Sequence, residues 1–423
     1  MAKRKRLRSH SICFSAWAVS IAFYADGASA AEIGTYLGRI TSTVGYEHTY
    51  DLDLAETAHA LWIFRQQQDW SDAEPMSARF HLQYQIQVDT AEGEAWSQRA
   101  QGGLDKLIAF VEKPWGPFTL SLGQQEVSWG ENLLMPILDL VNPRDFRNPK
   151  GYYDPASKMP VPMINLNYKE ADWTAQLIAV PQAIRSRQPD TVADFGVRDE
   201  RKYRLGLDGE YGGTVGTRIE SLDAKLYYWS AWPRVPAYTF TPFSGSSDIQ
   251  IEEQRVDTSG LSFSYAEASW LLRGDFAHHL HYPATQIGTK IERSTLDQMI
   301  LGWSWTSESL QTFGAELHSE RWEKLPSAYT PGPWVEERRS QRFYSWLGVN
   351  SSLRLWGGAC EPQLLGLRGI NTEDRLLRLV IPWNYNEGLT VAAEYQNSHA
   401  SSNSPKILLS QQKTLSLRLA YSW

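Results

Sequence analysis

Three histidines, His278, His279 and His281, fall within four positions, and imidazole is the commonest protein ligand for metals. On a strand, His279 and His281 would share a face with Arg273 and Asp275 while His278 points the other way. Two converging imidazoles fall short of the three or four ligands of a zinc site, so a solvated strand end is the expected role and no metal is assigned. Hydrolysis would need a nucleophile, a base and an orienting group at one rim. The sequence has no G-x-S-x-G elbow and no P-loop or Rossmann fingerprint, so no catalytic residue and no cofactor is assigned. The densest set of paired charges is elsewhere: Glu131, Asp139, Asn142, Arg144, Asp145, Arg147 and Lys150 crowd one stretch rich in proline. Charges of this kind set ion preference when they line a constriction.

These residues need a scaffold, and composition narrows it. The chain has 423 residues, 42% hydrophobic, with 18 Trp and 20 Tyr, yet a mean hydropathy of -0.42. Beyond the first two dozen positions no apolar run approaches the roughly 20 residues of a transmembrane helix. Disorder is excluded as well, because disordered chains are poor in aromatics. The start reads as a secretory signal over residues 1–30: Lys3, Arg4, Lys5, Arg6 and Arg8, an uncharged stretch from Ser11 to Tyr24, then Ala28-Ser29-Ala30. Cleavage would remove Cys13 and leave Cys360 alone, so no internal disulfide is expected in the mature chain. The formal charge of -7, more negative once the basic leader is gone, gives no footprint for nucleic acid.

Period two runs through most of the remainder. From Arg79 to Asp89, Phe80, Leu82, Tyr84, Ile86 and Val88 alternate with Arg79, His81, Gln83, Gln85, Gln87 and Asp89. The stretch from Lys202 to Tyr211 repeats the pattern, with Lys202, Arg204, Asp208 and Glu210 on the polar side. Asp223 and Lys225, then Glu316, Glu394 and Arg418, hold equivalent places later in the chain. A soluble sandwich also alternates. Strands of about 10 residues are nevertheless longer than those of globular sheets, and Tyr and Trp recur where an apolar face ends, as in the interfacial girdles of membrane barrels. The last segment ends in Tyr421 and Trp423, which resembles the C-terminal strand read by the machinery that assembles bacterial outer-membrane barrels. The expected fold is therefore all-β: a transmembrane antiparallel β-barrel of 16–18 strands, 14 being the lower bound, occupying residues 31–423. Candidate strands include 104–112, the weakest, and 201–211, 352–361 and 413–423.

Alternation stops between Ser128 and Val161, where Pro136, Pro143, Pro149, Pro155 and Pro160 rule out a ladder strand. Residues 130–160 are expected to form either an insert in the lumen or a long external loop. The run GQQEVSWGENLLMPILDLVNPRDFR, followed by MPVPMINLNY, resembles a porin-like outer-membrane family of unknown function associated with RND-type exporters, and more distantly the exopolysaccharide-export barrels. The matching elements are Trp129, Gly130 and Glu131, then Asp139, Asn142, Pro143 and Asp145, then Pro160 and Pro162; Arg144 departs from the small residue expected at its place. The resemblance implies a barrel with an internal constriction, a transport role and no reaction.

Together these readings predict an outer-membrane channel for a polar solute, narrowed by residues 130–160. Glu131, Asp139, Asn142, Arg144, Asp145, Arg147, Arg79, Arg204, Asp208, Arg273 and Asp275 would line or constrict the pore. Expected partners are the lipid bilayer, lipopolysaccharide, the barrel-assembly machinery and a periplasmic exporter, with no nucleic acid. Arg198, Arg201, Arg204, Arg338, Arg339 and Arg342 are either solvated ends or contacts for lipopolysaccharide phosphates. The competing functions are a non-conducting scaffold for an exporter or surface assembly, and an outer-membrane hydrolase using a rim histidine such as His279 or His318.

Overall fold

A computed structural model describes residues 40–51, 56–72, 74–89, 99–131, 136–144, 157–186, 209–234, 237–240, 249–252, 254–283, 287–288, 293–323, 343–386, 388–399 and 412–422, with side chains from 107 onward except over 237–240, 249–252, 287–288, 412–413 and 421–422. The expected signal segment, Asp145, Arg147, Arg204, Asp208 and Trp423 lie outside the described residues.

The first strands are β1 (Ile40–Asp51), β2 (Glu56–Asp72), β3 (Glu74–Asp89), β4 (Arg99–Trp115), β5 (Phe118–Gln125), β6 (Val161–Glu170) and β7 (Trp173–Val180). Next come β8 (Glu210–Ile219), β9 (Leu222–Ala231), β10 (Ala237–Phe240), β11 (Ile249–Glu252), β12 (Val256–Glu267), β13 (Trp270–Pro283) and β14 (Ile287–Gly288). The last are β15 (Arg293–Thr306), β16 (Thr312–Trp322), β17 (Phe343–Ser352), β18 (Gln363–Gly369), β19 (Arg375–Asn384), β20 (Leu389–His399) and β21 (Gln412–Ser422). Eighteen of them form one sheet, and β10, β11 and β14 form a separate small one. In the large sheet each strand pairs antiparallel with the next, β9 passing directly to β12 and β13 to β15. The pairing of β1 with β21, from Thr43 opposite Ser422 to Asp51 opposite Thr414, joins first strand to last. Tyr421 thus lies in the seam, opposite Val44.

Connections alternate in length. One end carries short turns such as 116–117, 171–172, 220–221 and 268–269, and the other carries the long stretches 126–160, 181–209 and 323–342. In three of the two-residue hairpins the leading residue is left-handed, Ala171 at φ 47, Glu220 at φ 54 and Ala268 at φ 51, the twist that tight antiparallel hairpins favour.

Hydrophobic side chains divide between two faces. Leu177, Val215, Leu226, Leu261, Leu272, Leu301, Leu347 and Leu417 are exposed on one face, the inverse of a soluble core. The opposite face is buried and largely polar, with Gln125, Asn165, Asp275, Glu316, Gln396 and Ser416 among its members. This is the arrangement of a barrel whose outside meets lipid. Among the described residues no helix is long and apolar enough to cross a membrane.

Two expected strands differ from the observed ones. The pattern over 201–211 meets β8 only at Glu210 and Tyr211, and 201–208 lie outside the described residues. The strand is the less patterned EYGGTVGTRI, whose glycines hide the period. Over 352–361 the chain turns instead, because Trp356, Gly357 and Gly358 take φ of 50, 69 and 96 in succession, which no strand accommodates. The strand follows as β18, only 7 residues long. The weak candidate at 104–112 proves to be part of β4, 17 residues long.

Candidate functional site

The described parts of the proline-rich stretch pack on the buried face of β6–β9, β12 and β13. Their foot is a knot of buried polar groups at the point where β5 leaves the sheet and β6 enters it. Asn142 Oδ1 accepts from Val127 N–H at 2.7 Å, and its Nδ2 donates to the Gln125 carbonyl at 3.1 Å and the Met159 carbonyl at 2.9 Å. One amide therefore ties the outgoing and returning chains, and it leaves no polar atom of its own unpaired. Beside it Asp139 accepts from Arg144 Nη2 and from Lys158 Nζ, each at 2.8 Å, and Lys158 also donates to the Val127 carbonyl. Arg144, the departure from the family pattern, thus neutralises an acid of the same motif.

The leading edge is Trp129-Gly130-Glu131. Trp129 is buried against the rings of Tyr227 and Trp229, and its Nε1 donates to Gln176 Oε1 at 2.7 Å. Gly130 holds φ +87, and a Cβ there would lie 2.9 Å from Asp275 Oδ2, so glycine meets both a backbone and a space requirement. The turn it allows aims Glu131 N–H at the Asp275 carboxylate, at 3.1 and 3.2 Å. The Glu131 side chain accepts from Lys225 Nζ at 2.8 Å. This pair keeps contact with solvent, 39% for Lys225 and 24% for Glu131, unlike the sealed knot at the foot. Further along, Leu138 presses so closely on Gly260 that a Cβ would come within 2.4 Å of its Cδ2.

A third tether comes from the connection after β9. Arg234 donates to the Leu140 and Val141 carbonyls, at 3.0 and 2.6 Å, and to the Ile184 carbonyl at 3.1 Å. It also pairs with buried Glu210 at 2.7 Å. A guanidinium suits the task because its fork serves several acceptors from one plane. Ser186 Oγ accepts from Arg144 N–H nearby. Buried apolar residues of the segment, Ile137, Leu138 and Val141, belong to one cluster with Met163, Ile178, Tyr227, Trp229, Ala277 and Ile300 of the wall.

Elsewhere the inner face is laced by its own pairs. Arg273 pairs with Glu316 at 3.2 Å and Arg378 with Glu394 at 2.7 Å. A chain of side chains crosses four strands: Thr258 Oγ1 with His279 Nδ1 at 2.8 Å, His279 Nε2 with Gln298 Oε1 at 3.0 Å, and Gln298 Nε2 donating to Glu320 Oε1 at 2.8 Å. His279 is consequently a buried, fully bonded wall residue and not the solvated strand end expected. His281 does not join it, since the register shifts between His279 and Tyr282 and His281 takes φ 61. His278 turns outward and bonds Asp297 at 2.7 Å. Among the described residues no three His, Cys, Asp or Glu side chains gather to hold a metal, and Cys360 is buried and free.

Of the residues singled out by sequence, Asp139, Asn142 and Arg144 come together at the foot, Glu131 and Asp275 at the leading edge, and Arg273 pairs with Glu316. Arg79 is placed only by backbone register, opposite Gln67 and Phe110. Sequence reasoning missed Arg234, Lys158 and Gln176. A signal existed for Arg234, a single cation between Pro233 and Pro236 just where alternation ends; Lys158 and Gln176 carry none.

No family model matches the sequence, and no curated protein does. Among solved structures, Pseudomonas aeruginosa OpdK with vanillate is similar at TM-score 0.53 and 10% identity, over 90% of this chain and 98% of that one. The fold is that of the porin-like outer-membrane barrels. Pseudomonas aeruginosa OccD3 (OpdP) is similar at TM-score 0.53 and 8% identity, over 91% of this chain and 90% of that one. Acinetobacter baumannii OccAB4 is similar at TM-score 0.51 and 11% identity, over 91% and 97%. At these identities the likeness carries the architecture and nothing finer.

Proposed function

We propose that this chain is a non-enzymatic outer-membrane channel for a small polar solute, with residues 130–160 as the element that narrows its lumen. The short turns face the periplasm and the long connections face outward, the usual polarity of such barrels. One observation carries the reading: Trp129 with Gln176 and Glu131 with Asp275 bond the segment to the buried polar face, while Asn142 closes its foot at Gln125 and Arg234 holds Leu140 and Val141 beside buried Glu210. A loop packed outside the barrel would have no reason to satisfy these inward groups. A barrel of this strand number is wide enough for water, so a fixed inward segment sets the passage. Lys225 and Glu131, still wetted, are the charges that a passing solute meets there. The structure of OpdK with vanillate is in keeping with such a role for this architecture.

Liposome swelling with neutral sugars of graded size tests the proposal. The wild type should admit only the smallest, and deletion of residues 132–158 should raise the size limit. Equal limits in both, or no swelling in either, would remove the segment from the pathway. The exporter link implied by the motif resemblance is a separate proposal, tested by whether a periplasmic exporter component co-purifies with the cross-linked barrel.

A further inference from the structure

Independently of transport, the outer surface carries an arrangement that is costly unless something charged completes it. Arg368 near the end of β18 and Arg375 at the start of β19 stand directly opposite each other in register. Both are exposed. Arg368 is also opposite Leu347, a lipid-facing residue, and Arg375 is opposite His399. Opposed residues of an antiparallel pair share a face, so three groups able to carry positive charge form one row across β18, β19 and β20 on the lipid side. Like charges in this relation repel, with Cβ atoms about 5 Å apart. Among the described residues no carboxylate forms an ion pair with either arginine.

The turn also prevents the strands from parting. Gly369 N–H donates to the Asp374 carbonyl, and Ile370 N–H to that of Ser345. Asn371 spans β17 through Ser345 N–H and the Phe343 carbonyl. Trp346 Nε1 holds the buried Asp374 carboxylate at 2.7 Å. The repulsion is thus built into a rigid platform.

Directly beneath the arginine row lies an apolar one. Gly366 is flanked in register by Val349 and Leu377, both exposed, and Leu364 follows on the same face. A Cβ at Gly366 would come within 3.1 Å of Val349 Cγ2, so Val349 leans over the bare backbone and forms a low aliphatic strip with Leu377. Cations above and an exposed aliphatic strip below reproduce the layout of a phosphorylated lipid, phosphate at the head and acyl chain under it.

We propose that Arg368 and Arg375 clamp a phosphate of an outer-leaflet glycolipid, with His399 beside them and one acyl chain laid along Val349 and Leu377. Arginine forks match phosphate oxygens two at a time, and an anion between the two guanidinium groups turns repulsion into attraction. The acyl seat favours the lipid over free phosphate.

The test titrates the purified barrel in detergent with phosphorylated lipid A, the same lipid dephosphorylated, and inorganic phosphate, read by native mass spectrometry. Phosphorylated lipid A should bind at least tenfold more tightly than the dephosphorylated form. The double variant Arg368→Gln/Arg375→Gln should abolish that preference, Arg368→Lys/Arg375→Lys should keep part of it, and Gly366→Val should weaken the lipid while sparing inorganic phosphate. Without lipid the Gln variant should melt higher than wild type, because the repulsion is gone, which also guards against a folding failure. A preference that survives in the Gln variant overturns the proposal. Inorganic phosphate competing as well as the lipid at equal concentration overturns the acyl seat and with it the lipid assignment.

Discussion

Asn142 and Asp139 show how single side chains hold a segment that has no ladder of its own. Truncating Asn142 to alanine leaves Val127 N–H and two carbonyls without partners in a dry site, at about 1–3 kcal/mol for each group. The expected result is a loosened segment in an intact barrel: trypsin should cut faster at Arg144, Arg147, Lys150 or Lys158, while the folded barrel keeps its gel mobility. Asp139→Asn strands two buried cations, and breaking such a buried pair costs about 3–5 kcal/mol. That variant should show the same proteolysis to a greater degree. Gly130→Ala asks a side chain to adopt φ +87, a strain of about 1–2 kcal/mol before the clash with Asp275 is counted. The Glu131–Asp275 contact should break, and the reversal potential in a salt gradient should shift as Glu131 leaves Lys225.

At the scale of strands, lipid exposure sets the rule and the lumen relaxes it. Leu226 is 62% exposed and sits between Val215 and Leu261 in register. Leu226→Arg should lower the stability of the refolded barrel in lipid by about 2–4 kcal/mol, measured by urea titration. The same rule explains what the sequence revealed. Period two is legible wherever one face meets lipid, so β3, β9, β15 and β21 can be read residue by residue. β8 escaped because Gly212, Gly213 and Gly216 blank out the pattern, and β18 because Trp356 has a strand-forming side chain in a turn conformation. The candidate site was legible as an interruption, since prolines mark it. Its partners were not, because Arg234, Lys158 and Gln176 act through contacts distant in sequence that no local pattern encodes. His279 misled for the same reason: its bonds to Thr258 and Gln298 come from neighbouring strands.

For the whole molecule, closure and filling are linked. Joining β21 to β1 removes both sheet edges, which lipid cannot satisfy, but eighteen strands enclose more space than side chains alone can fill. The described parts of the segment after β5 pack on the inner face, where Trp129, Ile137, Leu138 and Val141 join a hydrophobic cluster with wall residues in a molecule whose outside is already apolar. On the proposed function the two surfaces have separate tasks, with passage set by the inner one and lipid contact by the outer. Changes at Arg368 and Arg375 should accordingly leave conductance untouched. Single-channel recording in planar bilayers, comparing wild type with the deletion of residues 132–158, tests the central claim most directly. Small, discrete openings in the wild type and a severalfold larger unitary conductance in the deletion are predicted. Equal conductance in the two, or silence in both despite folded protein, would contradict it.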